Sequence, residues 1–338
     1  MLWIASLLLI APAVAQELKF ADLGDVRLES GQTIRDCRIG YRTFGTLNAE
    51  KSNAVLFPTW FTGTTKDLVD MIGPGKLVDS AKHFVIAVDA LGDGVSSSPS
   101  NSKLQPRMKF PIFTIRDMVE SQHELLTRIL RIPHLRAVIG ISMGGMQAFQ
   151  WMVSFPEFMD RAVPIVGTPK LTAYDLLLWQ AELHAIKADR AWNGGKYKSP
   201  PEAGMKTVAD IHALAVASPA YRVRRTDPKD FQKFLDTTER DTMQHFDANN
   251  WVRQLEAMLS HDVSKAFAGN IESAAAAVKA RVLVIVGLQD HMVNPEPALA
   301  FASLLEARTL ELDTDCGHLV FDCEGNRVYT AVQRFLAQ

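Results

Sequence analysis

Short runs of apolar and β-branched residues recur along the chain, separated by stretches whose apolar residues have helical spacing. Several runs are apolar at every position, which is typical of strands covered on both faces in a parallel sheet. The runs predict strands over Asn53–Pro58, His83–Ala90, Leu135–Ser142, Ala162–Val166, Ala280–Gly287 and Thr309–Leu312. Two earlier segments, Asp25–Glu29 and Ile34–Thr46, predict an antiparallel hairpin at the edge of the sheet.

Helices are predicted between the strands, and the alternation of strand and helix stops in one region. A helix is predicted over Ile115–Leu130, where Thr114 and Asp117 form a capping box. Between the predicted strands at 162–166 and 280–287 the pattern predicts only helices, over Tyr174–Ile186, Met205–Val216, Asp230–Glu239 and Trp251–Leu259. We therefore predict a doubly wound, mostly parallel α/β core over 16–170 and 266–338, with a helical cap inserted over 171–265.

The first 15 residues have the features of an export signal. Residues 2–14 are almost all apolar, and Ala13-Val14-Ala15 forms a small-x-small cleavage site. The apolar run is shorter than the ~18 residues that a spanning helix needs, and no lysine or arginine precedes it. We predict a signal peptide over 1–15 and a secreted or periplasmic protein, with an ordinary buried N-terminal strand or helix as the alternative.

Composition limits the classes of function. The chain has 36 basic and 38 acidic residues, a net charge of −2, which excludes the basic surface of a nucleic-acid-binding protein and a polybasic membrane patch. It contains no metal or dinucleotide motif, so we expect no cofactor. Cys316 and Cys323 could pair in an oxidising compartment, or remain two small buried hydrophobic residues. A small-molecule partner is expected, and a homodimer is left open.

The chemistry is indicated most sharply by a Gly-x-Ser-x-Gly pattern, Gly140-Ile141-Ser142-Met143-Gly144. It lies between a predicted strand and the helical run Met146–Val153. This context is that of the nucleophile elbow of an α/β-hydrolase fold, in which a tight turn exposes the serine hydroxyl above the sheet. A glycine-rich turn without a function is the alternative interpretation of the pattern taken alone.

A serine nucleophile needs a base, and the base needs an orienting carboxylate. In this fold they follow the serine in the order acid and then histidine. Asp290 follows the predicted strand at 280–287, and His318 follows the last strand. We therefore predict the catalytic residues Ser142, Asp290 and His318. His291 and His261 are weaker candidates, because the first shares a turn with Asp290 and the second lies in the cap.

Two backbone N–H groups should form the oxyanion hole. One belongs to Met143, the residue after the nucleophile, and we assign the other to Phe61, in the loop after the strand at 53–58. Trp60 and Leu319 neighbour these positions in sequence. We predict that they line an apolar substrate pocket beneath the cap, with Met143 nearby.

The sequence resembles the homoserine O-acetyltransferase family of α/β hydrolases, as a divergent member. The resemblance spans most of the chain after residue 15, and it is carried by the segments Gly140–Ala148, Thr114–Val119, Thr62-Gly63 and Phe246–Asn249. It implies an acyl-enzyme at Ser142, formed from acetyl-CoA and resolved by an alcohol, and it implies the same triad.

The departures from this family concern the substrate. Family members carry an aspartate after the catalytic histidine, where this chain has Leu319, and an arginine and a tyrosine on a cap helix, where it has Ala209 and Val216. The arginines of 222–225 could compensate. We therefore predict a serine esterase for a small or medium ester. The alternatives are an O-acyltransferase that uses acetyl-CoA and a non-catalytic binding protein on the same fold.

Overall fold

The computed structural model describes residues 16–338, and one eight-stranded sheet lies at the centre of this part of the chain. The predicted signal peptide, residues 1–15, lies outside the described residues. In chain order the strands β1 to β8 are Lys19–Arg27, Thr33–Phe44, Ala54–Pro58, Phe84–Val88, Ala137–Ile141, Arg161–Ile165, Arg281–Gly287 and Arg308–Leu312.

The sheet has the order β1-β2-β4-β3-β5-β6-β7-β8. Strands β3 to β8 pair in parallel, whereas β1 and β2 form an antiparallel hairpin that joins β4 at one edge. Every residue of β3, β5 and β6 is buried, as expected for strands with a hydrophobic layer on each face. The predicted fold class is confirmed.

Twelve α-helices surround the sheet within residues 16–338. In chain order α1 to α12 are Thr65–Leu68, Ile115–Glu124, Met143–Ser154, Ala173–Ala188, Glu202–Val216, Pro219–Arg225, Phe231–His245, Ala248–Leu259, Ile271–Ala277, Glu296–Leu304, Val320–Cys323 and Gly325–Leu336. Between β6 and β7 lie α4 to α9. We refer to α4–α8 as the cap helices. No helix of the described chain is long and apolar enough to cross a membrane.

The structure corrects three predicted boundaries. The helix predicted over 115–130 begins with the expected Thr114 cap, but it ends at residue 124 and continues as a π-helical turn over Leu125–Ile129. There the N–H of Leu130 bonds to the carbonyl of Leu125, five residues earlier. Helix α3 begins at Met143 rather than Met146. Strand β1 begins at Lys19 rather than residue 25, because the long partner strand β2 pairs with it from that residue onward.

Candidate active site

The strand-to-helix turn after β5 places Ser142 at the carboxyl edge of the sheet. Its φ of +57° lies in a region that residues with a Cβ rarely adopt, so the turn is strained, as in a nucleophile elbow. The N–H of Ser142 bonds to the carbonyl of Ile165 at 2.9 Å, which ties the turn to β6. A Cβ at Gly140 would lie 1.9 Å from the carbonyl oxygen of Gly144. Only glycine therefore permits this close approach.

The imidazole of His318 lies between the hydroxyl of Ser142 and the carboxylate of Asp290. Its Nε2 is 2.8 Å from Oγ of Ser142, a residue 176 positions earlier in the chain. Its Nδ1 is 2.7 Å from Oδ2 of Asp290. The side chains of His318 and Asp290 are 6% and 1% exposed. The structure thus brings the three predicted residues into one hydrogen-bonded row, with the spacing that proton transfer requires.

The carboxylate of Asp290 is held so that each oxygen has a separate task. Its Oδ1 accepts the backbone N–H groups of Met292 and Val293 at 2.8 and 2.9 Å. Its Oδ2 is left for the Nδ1–H of His318. The loop after β7 therefore fixes the orientation of the carboxylate, which in turn fixes the tautomer of the imidazole as Nδ1–H.

The loop that carries His318 packs closely against the cap helices. His318 lies in a short 3-10 helix, Gly317–Leu319. Gly317 has a φ of +62°, and a Cβ on it would lie 2.9 Å from the backbone nitrogen of Ser218. The hydroxyl of Ser218, which caps α6, donates to the carbonyl of Asp315 at 2.5 Å. The cap thus helps to position the imidazole.

The structure also decides whether Cys316 and Cys323 are paired or free. Cys316 and Cys323 form a disulfide, with Cα atoms 6.4 Å apart, and the loop that it closes contains His318. Cys37 is a free, buried thiol. Burial raises the pKa of this thiol to about 12.

In the part of the chain that the structure describes, the backbone N–H groups of Met143 and Phe61, near the nucleophile, have no hydrogen-bond acceptor. Met143 is the first residue of α3, so its N–H has no intrahelical acceptor. Within residues 16–338 the N–H of Phe61 has no hydrogen-bond partner, whereas the N–H of the next residue, Thr62, donates to Oε1 of Gln254 at 2.8 Å. The loop after β3 therefore offers the N–H of Phe61, the group predicted for the oxyanion hole.

A cavity of about 220 Å³ opens above Ser142. Trp60 and Leu319, predicted for the substrate pocket, both line it, together with further apolar side chains such as those of Val216 and Met258. The side chain of Met143 does not line it, because it is completely buried in the core as part of α3. Only the backbone of Met143 is placed to act in the site.

The three arginines of α6 are used elsewhere. The guanidinium of Arg222 lies 4.1 Å from the ring centre of Phe234, Arg224 forms an ion pair with Asp315, and Arg225 packs on a tyrosine of its own helix. None of the described residues that line the cavity is an arginine or lysine. These arginines therefore do not replace the substrate-binding arginine that the chain lacks on its cap helix.

Sequence analysis missed one polar pair in the cavity, the buried Glu182 on α4 and the partly exposed His212 on α5. A signal for it was present: Glu182 falls on the helical stripe of Trp179, Leu183 and Ile186, all buried. A charged residue among the buried apolar positions of a helix is unusual unless it has a partner. No cluster of three or more potential metal-ligating side chains occurs in the described chain.

Comparisons with known proteins agree with this architecture. Residues 55–324 match the alpha/beta hydrolase fold family. An ethyl acetate hydrolase of Pseudomonas veronii is 32% identical over 289 residues, 82% of each chain. A homoserine O-acetyltransferase of Methanococcoides burtonii is 31% identical over 353 residues, 93% of this chain and 72% of that protein. The structure of the acetyl esterase MekB superposes with a TM-score of 0.89 at 29% identity, covering 95% of this chain and 97% of that one.

The fold and the site define an enzyme of the esterase or O-acyltransferase type built on a doubly wound α/β sheet. This chain belongs to the α/β-hydrolase fold family. Within that family its relatives are esterases and homoserine O-acetyltransferases. The predicted resemblance is confirmed, and a non-catalytic binding protein is not supported.

Proposed function

We propose that this protein hydrolyses small uncharged esters, acetyl esters in particular, through an acyl-enzyme on Ser142. The observation that carries the proposal is the row of hydrogen bonds from Ser142 through His318 to Asp290 at a largely apolar cavity. The relatives named ethyl acetate hydrolase and acetyl esterase support the acetyl group.

Each proton in the proposed reaction has a place. As Oγ of Ser142 attacks the ester carbonyl, Nε2 of His318 takes the hydroxyl proton, and the leaving alcohol then receives it. His318 next takes a proton from water, the resulting hydroxide attacks the acyl-serine, and the carboxylic acid leaves as the serine recovers its proton. Asp290 stabilises the imidazolium in both halves. The N–H groups of Phe61 and Met143 bind the oxyanion, where charge develops.

Cavity size and charge limit the substrate. A cavity of about 150 Å³ is large enough to bind benzene, so the 220 Å³ above Ser142 suits an ester of a few carbon atoms. A substrate with a buried ammonium and carboxylate needs partners for both charges. The lining has no arginine or lysine, and Leu319 stands beside His318. Uncharged substrates are therefore favoured over homoserine.

Transfer to an alcohol is the second candidate, because the relatives include homoserine O-acetyltransferases. The acyl-enzyme is common to both reactions, so the two differ in what removes the acyl group. The discriminating measurement is release of free CoA from acetyl-CoA with and without homoserine. Release that depends strictly on homoserine, without hydrolysis of p-nitrophenyl acetate, would replace the esterase proposal.

The principal test compares wild type, Ser142→Ala and the exposed control Ser303→Ala. The substrates are p-nitrophenyl acetate, butyrate and octanoate, and a fluorophosphonate probe reports on the nucleophile. We expect Ser142→Ala to lose the labelling and at least ~10³-fold in kcat/KM, and Ser303→Ala to match wild type. Activity should fall towards octanoate. Undiminished hydrolysis by Ser142→Ala would refute the proposed mechanism.

We further propose export, with cleavage after Ala15. The apolar segment 2–14 and the small-x-small site support it. A disulfide between Cys316 and Cys323 suits an oxidising compartment, and acetyl-CoA is a cytoplasmic metabolite. Expression of the full chain with a C-terminal tag, followed by fractionation and N-terminal sequencing, should give a mature protein that starts at Gln16. An intact N-terminus in the cytoplasm would refute export.

A further inference from the structure

A second imidazole–carboxylate pair faces the cavity that holds the nucleophile. Nδ1 of His212 on α5 lies 3.0 Å from Oε1 of Glu182 on α4. The indole N–H of Trp251 on α8 donates to Oε2 of the same carboxylate at 3.2 Å. Both members of the pair line the cavity with Ser142. Three cap helices thus meet at one carboxylate whose side chain is 1% exposed.

The free polar atom of this pair is Nε2 of His212. Within residues 16–338 it has no hydrogen-bond partner, and the His212 side chain is 29% exposed. His212 lines the cavity, and Glu182 engages only its Nδ1 edge, which leaves Nε2 for a ligand. The ring centre of His212 lies 6.1 Å from that of Phe61, whose N–H belongs to the proposed oxyanion hole. The imidazole therefore lies beside the Phe61 side chain, on the wall of the cavity that holds Ser142.

A purely structural role accounts poorly for this placement. Burial of the Glu182 carboxylate carries a desolvation cost, and apolar residues of similar volume often serve stability equally well or better. The pair lies at the wall of a cavity with many apolar side chains, such as those of Trp179, Val216 and Met292. Ligand pockets are typically apolar surfaces with a few polar atoms that fix orientation. Nε2 of His212 is such an atom.

We propose that Nε2 of His212, with the ring oriented by Glu182, binds a hydroxyl group in the alcohol part of the ester, so that the substrates are monoacetyl esters of diols or polyols. This inference rests on the proposed function. A neutral imidazole held at Nδ1 offers Nε2 as an acceptor, and an imidazolium offers it as a donor. A hydroxyl complements both. The acetyl group carries no hydroxyl, so the bond is made by the alcohol part.

Charged groups suit the pair less well. A substrate ammonium cannot readily reach Glu182, because its side chain is 1% exposed and its two oxygens face His212 and Trp251. A substrate carboxylate finds no second cation among the residues that line the cavity. Hydrogen bonds from a site to a substrate hydroxyl also discriminate strongly against the analogue that lacks it, because the protein atom is then left unpaired.

The test uses 2-hydroxyethyl acetate and propyl acetate, which differ only in a terminal hydroxyl or methyl group. The readout is the ratio of their kcat/KM values on one enzyme sample. Because both values come from the same sample, the concentration of folded enzyme cancels from this ratio. In His212→Phe we expect the ratio to fall about tenfold from its wild-type value, which corresponds to one lost hydrogen bond.

Two further variants keep the test decisive. Glu182→Met combined with His212→Phe removes both ionisable side chains, so that no carboxylate is left unpaired, and should show the same fall. His184→Phe changes an exposed histidine of the same helix α4 and should keep the wild-type ratio. An unchanged ratio in folded His212→Phe or in the double variant overturns the inference. Ser142-dependent hydrolysis of propyl acetate by wild type would then still support the proposed function. Failure of wild type to hydrolyse either ester overturns both.

Discussion

Replacing Asp290 by asparagine should reverse the tautomer of His318. The Oδ1 position accepts two backbone N–H groups, those of Met292 and Val293 at 2.8 and 2.9 Å, so the amide NH₂ of asparagine cannot occupy it. The NH₂ group must instead face Nδ1 of His318, 2.7 Å away. Nδ1 then becomes an acceptor and Nε2 carries the proton. In that form Nε2 cannot accept the proton of Ser142.

The expected loss follows from this tautomer. The same substitution in another serine enzyme leaves the geometry intact and lowers kcat about 10⁴-fold, equivalent to about 5.4 kcal/mol of transition-state stabilisation. We expect a loss of that order for Asp290→Asn with p-nitrophenyl acetate. Asp313→Asn, the same change at an exposed residue, is the control, and thermal unfolding checks the fold. If Asp290→Asn kept a tenth of the wild-type kcat/KM, the argument from the two N–H groups would be refuted.

Three further predictions concern the rest of the chain. Because burial raises the pKa of Cys37 to about 12, native protein should not react with a thiol reagent at pH 8, and denatured, non-reduced protein should show its one free thiol; rapid native reaction would contradict this. Burial lowers the pKa of His261 to about 4, so the unfolded chain binds a proton that the folded chain excludes. His261 alone should therefore contribute a fall of about 3 kcal/mol in the free energy of unfolding between pH 7 and pH 4, and urea unfolding should show a correspondingly weaker pH dependence in His261→Gln than in wild type. Serine at both Cys316 and Cys323 should lower the free energy of unfolding by about 2 kcal/mol, because it opens the loop around His318; urea midpoints equal to wild type would argue against this.

Sequence patterns were informative where a reactive residue comes soon after a predicted strand. Ser142, Asp290 and His318 lie in segments that follow β5, β7 and β8. The carboxyl ends of parallel strands meet at one edge of a sheet, so a strand prediction also placed these residues near one another. The strands themselves were predictable because a run buried on both faces must be apolar at every position.

The contacts of the cap side chains could be learned only from the tertiary structure. Helical spacing predicted its helices, but not that Glu182 would meet His212 and Trp251 from two other helices, nor that Arg222 would turn to Phe234 rather than to the cavity. The sequence by itself determined the sheet, the elbow and the identity of the reacting groups, because each depends on a local pattern. Which cap side chains reach the substrate was decided only by helix packing, since contacts between helices distant in sequence leave no period along the chain.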